Sequence, residues 1–204
     1  MRIKAQFREI CKRHLLRPLA AKRIDFADKK IVRLLKKELL ALGSKNILLY
    51  CPMDTEVNIY PLIYWLKSRR GIRIFVPHIN GVSFKMVAFR MPLHKNQYNI
   101  LEAEKSLFYW AKIDTAIIPV LGIDRSFRRV GFGKGMYDRF FQTLSYRPHM
   151  IFLSKKVMVA RNIITQSHDI LGDKFIHSRC IVKRGFDDRI LSDRVYNIWF
   201  DGRG

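Results

Sequence analysis

The feature that most constrains this chain is the order of its apolar segments. Short apolar runs that suit buried strands alternate with segments whose apolar residues recur every three or four positions. Residues 46–51 (NILLYC) end at Pro52, and residues 72–76 form the next strand candidate. Asn80-Gly81 separates 74–79 from 82–89, the pattern of a β-hairpin. Further strand candidates are 115–121 (TAIIPVL), 149–153 and 175–182. Between them the spacing predicts helices over 2–16, 57–70, 102–110 and 136–144. Another carries the stripe Ile31, Leu34, Leu35, Leu39, Leu42, with Asp25 as its cap and Gly43 as its stop. Alternation of this kind specifies an α/β fold: one domain with a central, largely parallel sheet flanked by helices, plus a β-hairpin. A length of 204 residues favours a single domain. We expect it to span 1–182, followed by a polar C-terminal tail over 183–204.

Charge narrows the partners. Lys and Arg number 39 against 17 Asp and Glu, a formal net charge of +22. Such a balance favours anionic ligands. The basic residues occur along the whole chain, with no run of five or more like charges, so a dedicated nucleic-acid arm is not expected. Cys11, Cys51 and Cys180 are far apart and form no metal-ligand spacing. A reduced, cytoplasmic protein fits them best. No apolar stretch is long enough for a membrane span, and the chain opens on charged residues rather than an apolar signal region.

The sharpest local signal is Arg128-Arg129-Val130-Gly131-Phe132-Gly133-Lys134-Gly135-Met136-Tyr137-Asp138, between a predicted strand and a predicted helix. Three alternating glycines allow close backbone approach to a ligand. Amides at a helix start favour phosphate oxygens. Arg129 and Lys134 can neutralise a polyphosphate, and Asp138 can hold Mg²⁺. Lys134 is followed by Gly, so this is not the common P-loop, and the third glycine comes too early for a dinucleotide fingerprint.

In its wider setting the segment becomes more specific. Asp114 through Asp124 (DTAIIPVLGID), followed by Arg129 through Arg139 (RVGFGKGMYDR), resembles the signature of the 5-formyltetrahydrofolate cyclo-ligase family. Further landmarks recur in order: Lys4 and Arg8, Tyr50 with Glu56-Val57, Pro77, Met86, the segment from Asn99 to Glu102, and His168-Asp169. Departures occur at Ala103, Val120 and Met136, and a glutamine expected near Met158 is missing. All fall near the expected folate pocket.

The resemblance implies an enzyme that uses ATP and Mg²⁺ to convert 5-formyltetrahydrofolate to 5,10-methenyltetrahydrofolate. It implies that Lys4, Arg8, Arg129, Gly131, Phe132, Gly133, Lys134, Gly135, Met136, Tyr137 and Asp138 surround the nucleotide. Lys134 and Arg129 would serve the chemical step, and Asp138 the metal. Glu56, Met86, Tyr98 and Tyr137 would meet the folate. Two alternatives stay open from the residues: a basic nucleic-acid-binding protein, and a family member that only holds folate or nucleotide.

Overall fold

The computed structural model describes residues 2–16, 21–95, 101–103, 111–178, 181–185 and 199–200. Two helices come first, α1 (Arg2–Leu16) and α2 (Ala21–Leu42), then strand β1 (Asn46–Leu48) and helix α3 (Tyr60–Lys67). The hairpin β2 (Arg73–Asn80) and β3 (Ser83–Ala88) turns at Gly81, and a short pair β4 (Leu93–Lys95) and β5 (Leu101–Ala103) follows. Next are β6 (Thr115–Pro119), the small pair β7 (Gly122–Asp124) and β8 (Arg129–Val130), and helix α4 (Met136–Gln142). The chain continues through β9 (His149–Leu153), β10 (Val159–Ala160), β11 (Lys174–Ile176), β12 (Ile181–Lys183) and β13 (Trp199–Phe200).

Seven strands form the main sheet in the order β12-β11-β9-β6-β1-β2-β3. Pairs from β11 through β2 are parallel, and only the outer pairs, β11–β12 and β2–β3, are antiparallel. The expected α/β domain with its largely parallel sheet and hairpin is therefore the observed one. β6 is buried at every position, as a central strand covered on both faces must be. One core lies between the sheet and α2 with α3, where Ile31, Leu35, Leu39, Leu62 and Leu66 meet Ile47, Leu49 and Val76. A second core on the other face joins Phe84, Phe140, Phe152 and Phe175. A third, smaller one seats Phe7 and Cys11 of α1 on Leu121, Val130 and Met158.

Several expected boundaries move. α2 begins at Ala21, so Asp25 lies a turn inside it rather than capping it; the Ala-Lys-Arg run before it is good helix former. α3 begins three residues later than expected, because Val57 and Ile59 are β-branched and Pro61 suits a first turn. The expected strand over 175–182 is two antiparallel strands, β11 and β12. The expected helix over 102–110 starts instead in a strand, β5, and 104–110 lie outside the described residues. From the expected tail, β13 pairs in parallel with β10 in a four-stranded sheet β13-β10-β7-β8.

Candidate active site

The site lies where parallel strands deliver their C-terminal ends. β1 leads into Tyr50 and Cys51, β2 ends through Pro77 and Ile79, and β6 ends at Pro119. A cavity of 290 Å³ opens there, walled by Tyr50, Glu56, Phe84, Phe132, Met136 and Tyr137, among others. Its surface is mostly apolar. Phe84 meets Tyr137 edge-on at 5.0 Å and stacks on Phe140 at 4.2 Å, so the wall is rigid aromatic surface suited to a flat ring.

A second cavity, of 710 Å³, adjoins it. Lys4, Arg8, Gly131, Gly133, Asp138 and Asp169 line it, together with Arg139 and His168. Arg129 and Gly135 belong to both cavities. One face of the glycine loop thus borders an apolar chamber and the other a polar one.

Arg129 is the hinge of this arrangement. It is 5 % exposed, and its Nε and Nη1 have no hydrogen-bond partner among the described residues. Its guanidinium lies over the Tyr137 ring, Cζ 5.0 Å from the centroid. Gly131 makes room for it: a Cβ there would come within 2.0 Å of Nη2. A buried guanidinium with unfilled donors is costly unless an anion completes it. Gly135, the residue before α4, has φ of 62°, a left-handed conformation that glycine adopts without penalty.

α1 reaches this loop from the amino-terminal side. Arg8 Nε donates to the Gly131 carbonyl at 2.9 Å. Lys4 Nζ sits 2.6 Å from both oxygens of Asp169, which also accepts the Gln166 amide at 2.7 Å. Asp138 Oδ1 accepts the Ile170 amide at 3.2 Å, which sets two carboxylates beside one polar cavity.

Glu56 faces the apolar chamber. It is buried, and its Oε2 accepts the Met53 amide at 2.9 Å. Burial pushes its carboxyl up to about 7; the Met53 amide, Arg129 and Lys155 pull the other way without offsetting it. Tyr50, wholly buried, donates its hydroxyl to the Val57 carbonyl at 2.9 Å and so ties the strand end to the turn that carries Glu56. Burial also raises the Tyr137 phenol well above its ordinary range.

The structure sorts the expected site residues between the two chambers. Lys4, Arg8, Gly131, Gly133 and Asp138 line the polar cavity, whereas Phe132, Lys134, Met136, Tyr137 and Glu56 line the apolar one. Lys134 is exposed and stands on the apolar side of the loop. Met86 packs against the second core, and its register partner Pro77 lines the apolar chamber. Tyr98 lies outside the described residues. Of the sequence departures, Met136 lines the cavity, whereas Val120 and Met158 are core residues.

Two residues of the sequence motifs, Asp169 and Arg139, make ties at the site that local spacing does not announce. Asp169 is 4 % exposed and binds Lys4, a pairing across 165 positions that no local spacing reveals. Arg139 donates to the carbonyls of Lys134 and Val82, bracing the glycine loop against the hairpin turn.

Comparisons with known proteins bear on the family and the fold. A model described as the 5-formyltetrahydrofolate cyclo-ligase family matches residues 3–175. A curated relative from Haemophilus influenzae, named 5-formyltetrahydrofolate cyclo-ligase, is 23% identical over 138 residues, 62% of this chain and 72% of that one. Relatives of the same name are 29% identical in Mycoplasma pneumoniae (50% of this chain, 54% of that one) and 24% identical in Mus musculus (66% and 74%). The solved structure of Aquifex aeolicus 5,10-methenyltetrahydrofolate synthetase superposes with a TM-score of 0.75 at 21% identity, covering 91% of this chain and 95% of that one. The synthetase from Mycoplasma pneumoniae gives 0.62 at 22%, covering 86% and 98%. At these identities the two structures show the shared fold.

Proposed function

The chain belongs to the 5-formyltetrahydrofolate cyclo-ligase family, and from that premise we propose that it converts 5-formyltetrahydrofolate to 5,10-methenyltetrahydrofolate at the expense of ATP. The observation that carries this is Arg129, a buried cation with open donors at the seam of a polar and an apolar chamber. The polar chamber suits a triphosphate: it combines Lys4, Arg8 and Arg129 with the backbone of the glycine loop. The apolar chamber suits the pterin, with aromatic walls and Glu56 to accept hydrogen bonds from its amino and ring NH groups.

The reaction then belongs at the seam. The formyl oxygen attacks the γ-phosphorus, and ADP leaves. N10 attacks the formyl carbon and releases its proton. The carbon–oxygen bond breaks, phosphate departs, and the methenyl bridge is closed. No covalent enzyme intermediate is needed. The protein aligns the two substrates and stabilises charge on the transferring group. Arg129 touches both chambers, and Lys134 stands beside the formyl side of the loop, where the cation can follow the moving phosphoryl group.

Asp138, on the wall of the polar cavity, fits a hard cation that keeps most of its ligands from phosphate and water, and it is the residue that would hold Mg²⁺. When bound, Mg²⁺ would neutralise charge on the β- and γ-phosphates. We assign the protein to the cytoplasm, a setting that its buried free cysteines Cys11 and Cys51 support. Among the described residues no helix is long and apolar enough to cross a membrane.

The test is direct. Purified protein is mixed with 5-formyltetrahydrofolate, ATP and Mg²⁺, and methenyl-folate absorbance and ADP are followed. Stoichiometric appearance of both is expected. Folded protein that yields neither product would overturn the assignment.

A further inference from the structure

Five cations line the two chambers, Lys4, Arg8, Arg129, Lys134 and Arg139, out of 39 in the chain. Most of the positive charge therefore lies elsewhere, and the fold does not spread it evenly. Residues 57–101 contain no Asp or Glu. They supply α3 and the hairpin, and α3 packs beside α2, with Lys36 of α2 over the Trp65 ring. The described acidic side chains of α2 are already engaged: Asp28 is buried and accepts the Asn58 amide, and Glu38 pairs with Lys174. Charges dispersed in sequence order thus gather onto one face.

Aromatic rings are set among these cations. Trp65 carries Arg69 at 3.9 Å and Lys36 of α2 at 4.9 Å from its ring centroid. Lys67 lies 5.5 Å from the Phe89 ring. Tyr64 is 52% exposed and stacks on Tyr60 at 6.4 Å. Arg33, Lys37, Arg70, Arg73 and Arg90 are exposed around them. The basic end of this face, at Arg69, Arg70 and Arg73, lies away from the active site, whereas Tyr64 stacks on Tyr60, a neighbour of the chamber residue Cys51. Arg73 opens β2 and Ile79, near its end, lines the apolar chamber, roughly 20 Å of extended chain apart.

We propose that the face formed by α2 and α3 binds a single-stranded polynucleotide. A row of cations tracks a phosphate backbone, and an exposed aromatic ring accepts a base by stacking; the two together are the physical requirements for single-strand binding. A lipid surface needs a large apolar face turned outward, but Ile31, Leu35 and Leu39 of α2 are buried in the first core, and only Phe26, Leu40 and Leu42 among its described large apolar side chains are exposed. A folate and a nucleotide at the catalytic chambers do not require these residues, so binding here is independent of the ligase chemistry.

The probe is a labelled oligouridylate, titrated by fluorescence anisotropy over a range of salt concentrations with the full chain. Affinity should fall with salt, by about 0.7 in log–log slope for each phosphate neutralised. The double variant R69Q/R70Q should bind at least ~10-fold more weakly and lose about 1.4 from that slope. Y64A should weaken binding without flattening the slope, since stacking releases no counterion. Both variants should keep the wild-type circular dichroism and turnover, and saturating ATP should not displace the oligonucleotide. Unchanged affinity in R69Q/R70Q would overturn the proposal. So would displacement by ATP, which would put the polyanion in the nucleotide cavity, or binding to phosphatidylserine vesicles with none to the oligonucleotide.

Discussion

Lys134 and Arg129 occupy different surroundings, and their replacement should have different consequences. Arg129 is buried at the seam; Lys134 is exposed on the apolar side of a loop. A charge that meets the phosphoryl group only as it moves affects turnover, whereas uniform grip on the ground state affects the Michaelis constant. Lys134→Ala should therefore cut turnover by at least ~100-fold at saturating ATP, on the scale of one lost preorganised charge contact. Its thermal midpoint should stay near wild type, and Lys134→Arg should rescue poorly because a planar fork replaces a compact ammonium. Steady-state kinetics of the two variants check this. Glu56 gives a second residue-scale expectation. Its carboxyl is raised from 4.5 to about 7 in the fold, so between those values the folded protein binds more protons than the unfolded chain. Stability contributed by this group is thus full below pH 4.5 and declines as pH rises through about 7. Glu56→Gln should remove that decline. In unfolding titrations of the ligand-free protein, the variant should gain on wild type by on the order of 3 kcal/mol between pH 4.5 and pH 8. Equal pH profiles would show that Glu56 is ionised at no cost.

At the scale of elements, α1 is held by a few long-range ties. Phe7 and Cys11 fill the third core, Arg8 grips the Gly131 carbonyl, and Lys4 neutralises Asp169. Removing Lys4 strands a nearly buried carboxylate. Lys4→Ala should cost roughly 3 kcal/mol, the low end for breaking a buried pair, because Lys4 itself is partly exposed. Amide hydrogen exchange should rise in α1 and little elsewhere. Arg139→Ala should free the glycine loop from the hairpin turn, raise the Michaelis constant for ATP, and leave α4 in place. The same ties explain what the sequence could and could not tell. The alternation of buried runs with helical spacing gave β1, β2, β6 and β9 in order, since a strand covered on both faces must be continuously apolar. The glycine loop was legible because its residue types are local. The Lys4–Asp169 and Arg139–Val82 contacts were not, because partners so distant in the chain meet only through the topology of the sheet. Asp25 misled as a cap because helix propensity continued upstream of it. Met86 drew attention as a landmark of the family pattern, which does not say which face of β3 it occupies.

Over the whole molecule, the parallel order around β6 brings the ends of β1, β2 and β6 to one rim, and the glycine loop divides that rim into two chambers with a common wall. Arg129 and Gly135 are that wall. A ligand that satisfies Arg129 from the polar side would fix its guanidinium, so the second ligand would find it already ordered. On the proposed assignment the two substrates would therefore be linked thermodynamically. A non-hydrolysable ATP analogue should tighten 5-formyltetrahydrofolate by on the order of tenfold, and the folate must tighten the analogue by the same factor, because a coupling free energy has one value whichever ligand is added first. Arg129→Lys keeps the charge but loses the fork that spans the wall, and its coupling factor should shrink toward one in calorimetric titrations even where each ligand alone still binds. On the proposed assignment, ATP bound without folate would meet a chamber whose shared cation is only half engaged, so synergy in binding would also protect the nucleotide from idle hydrolysis.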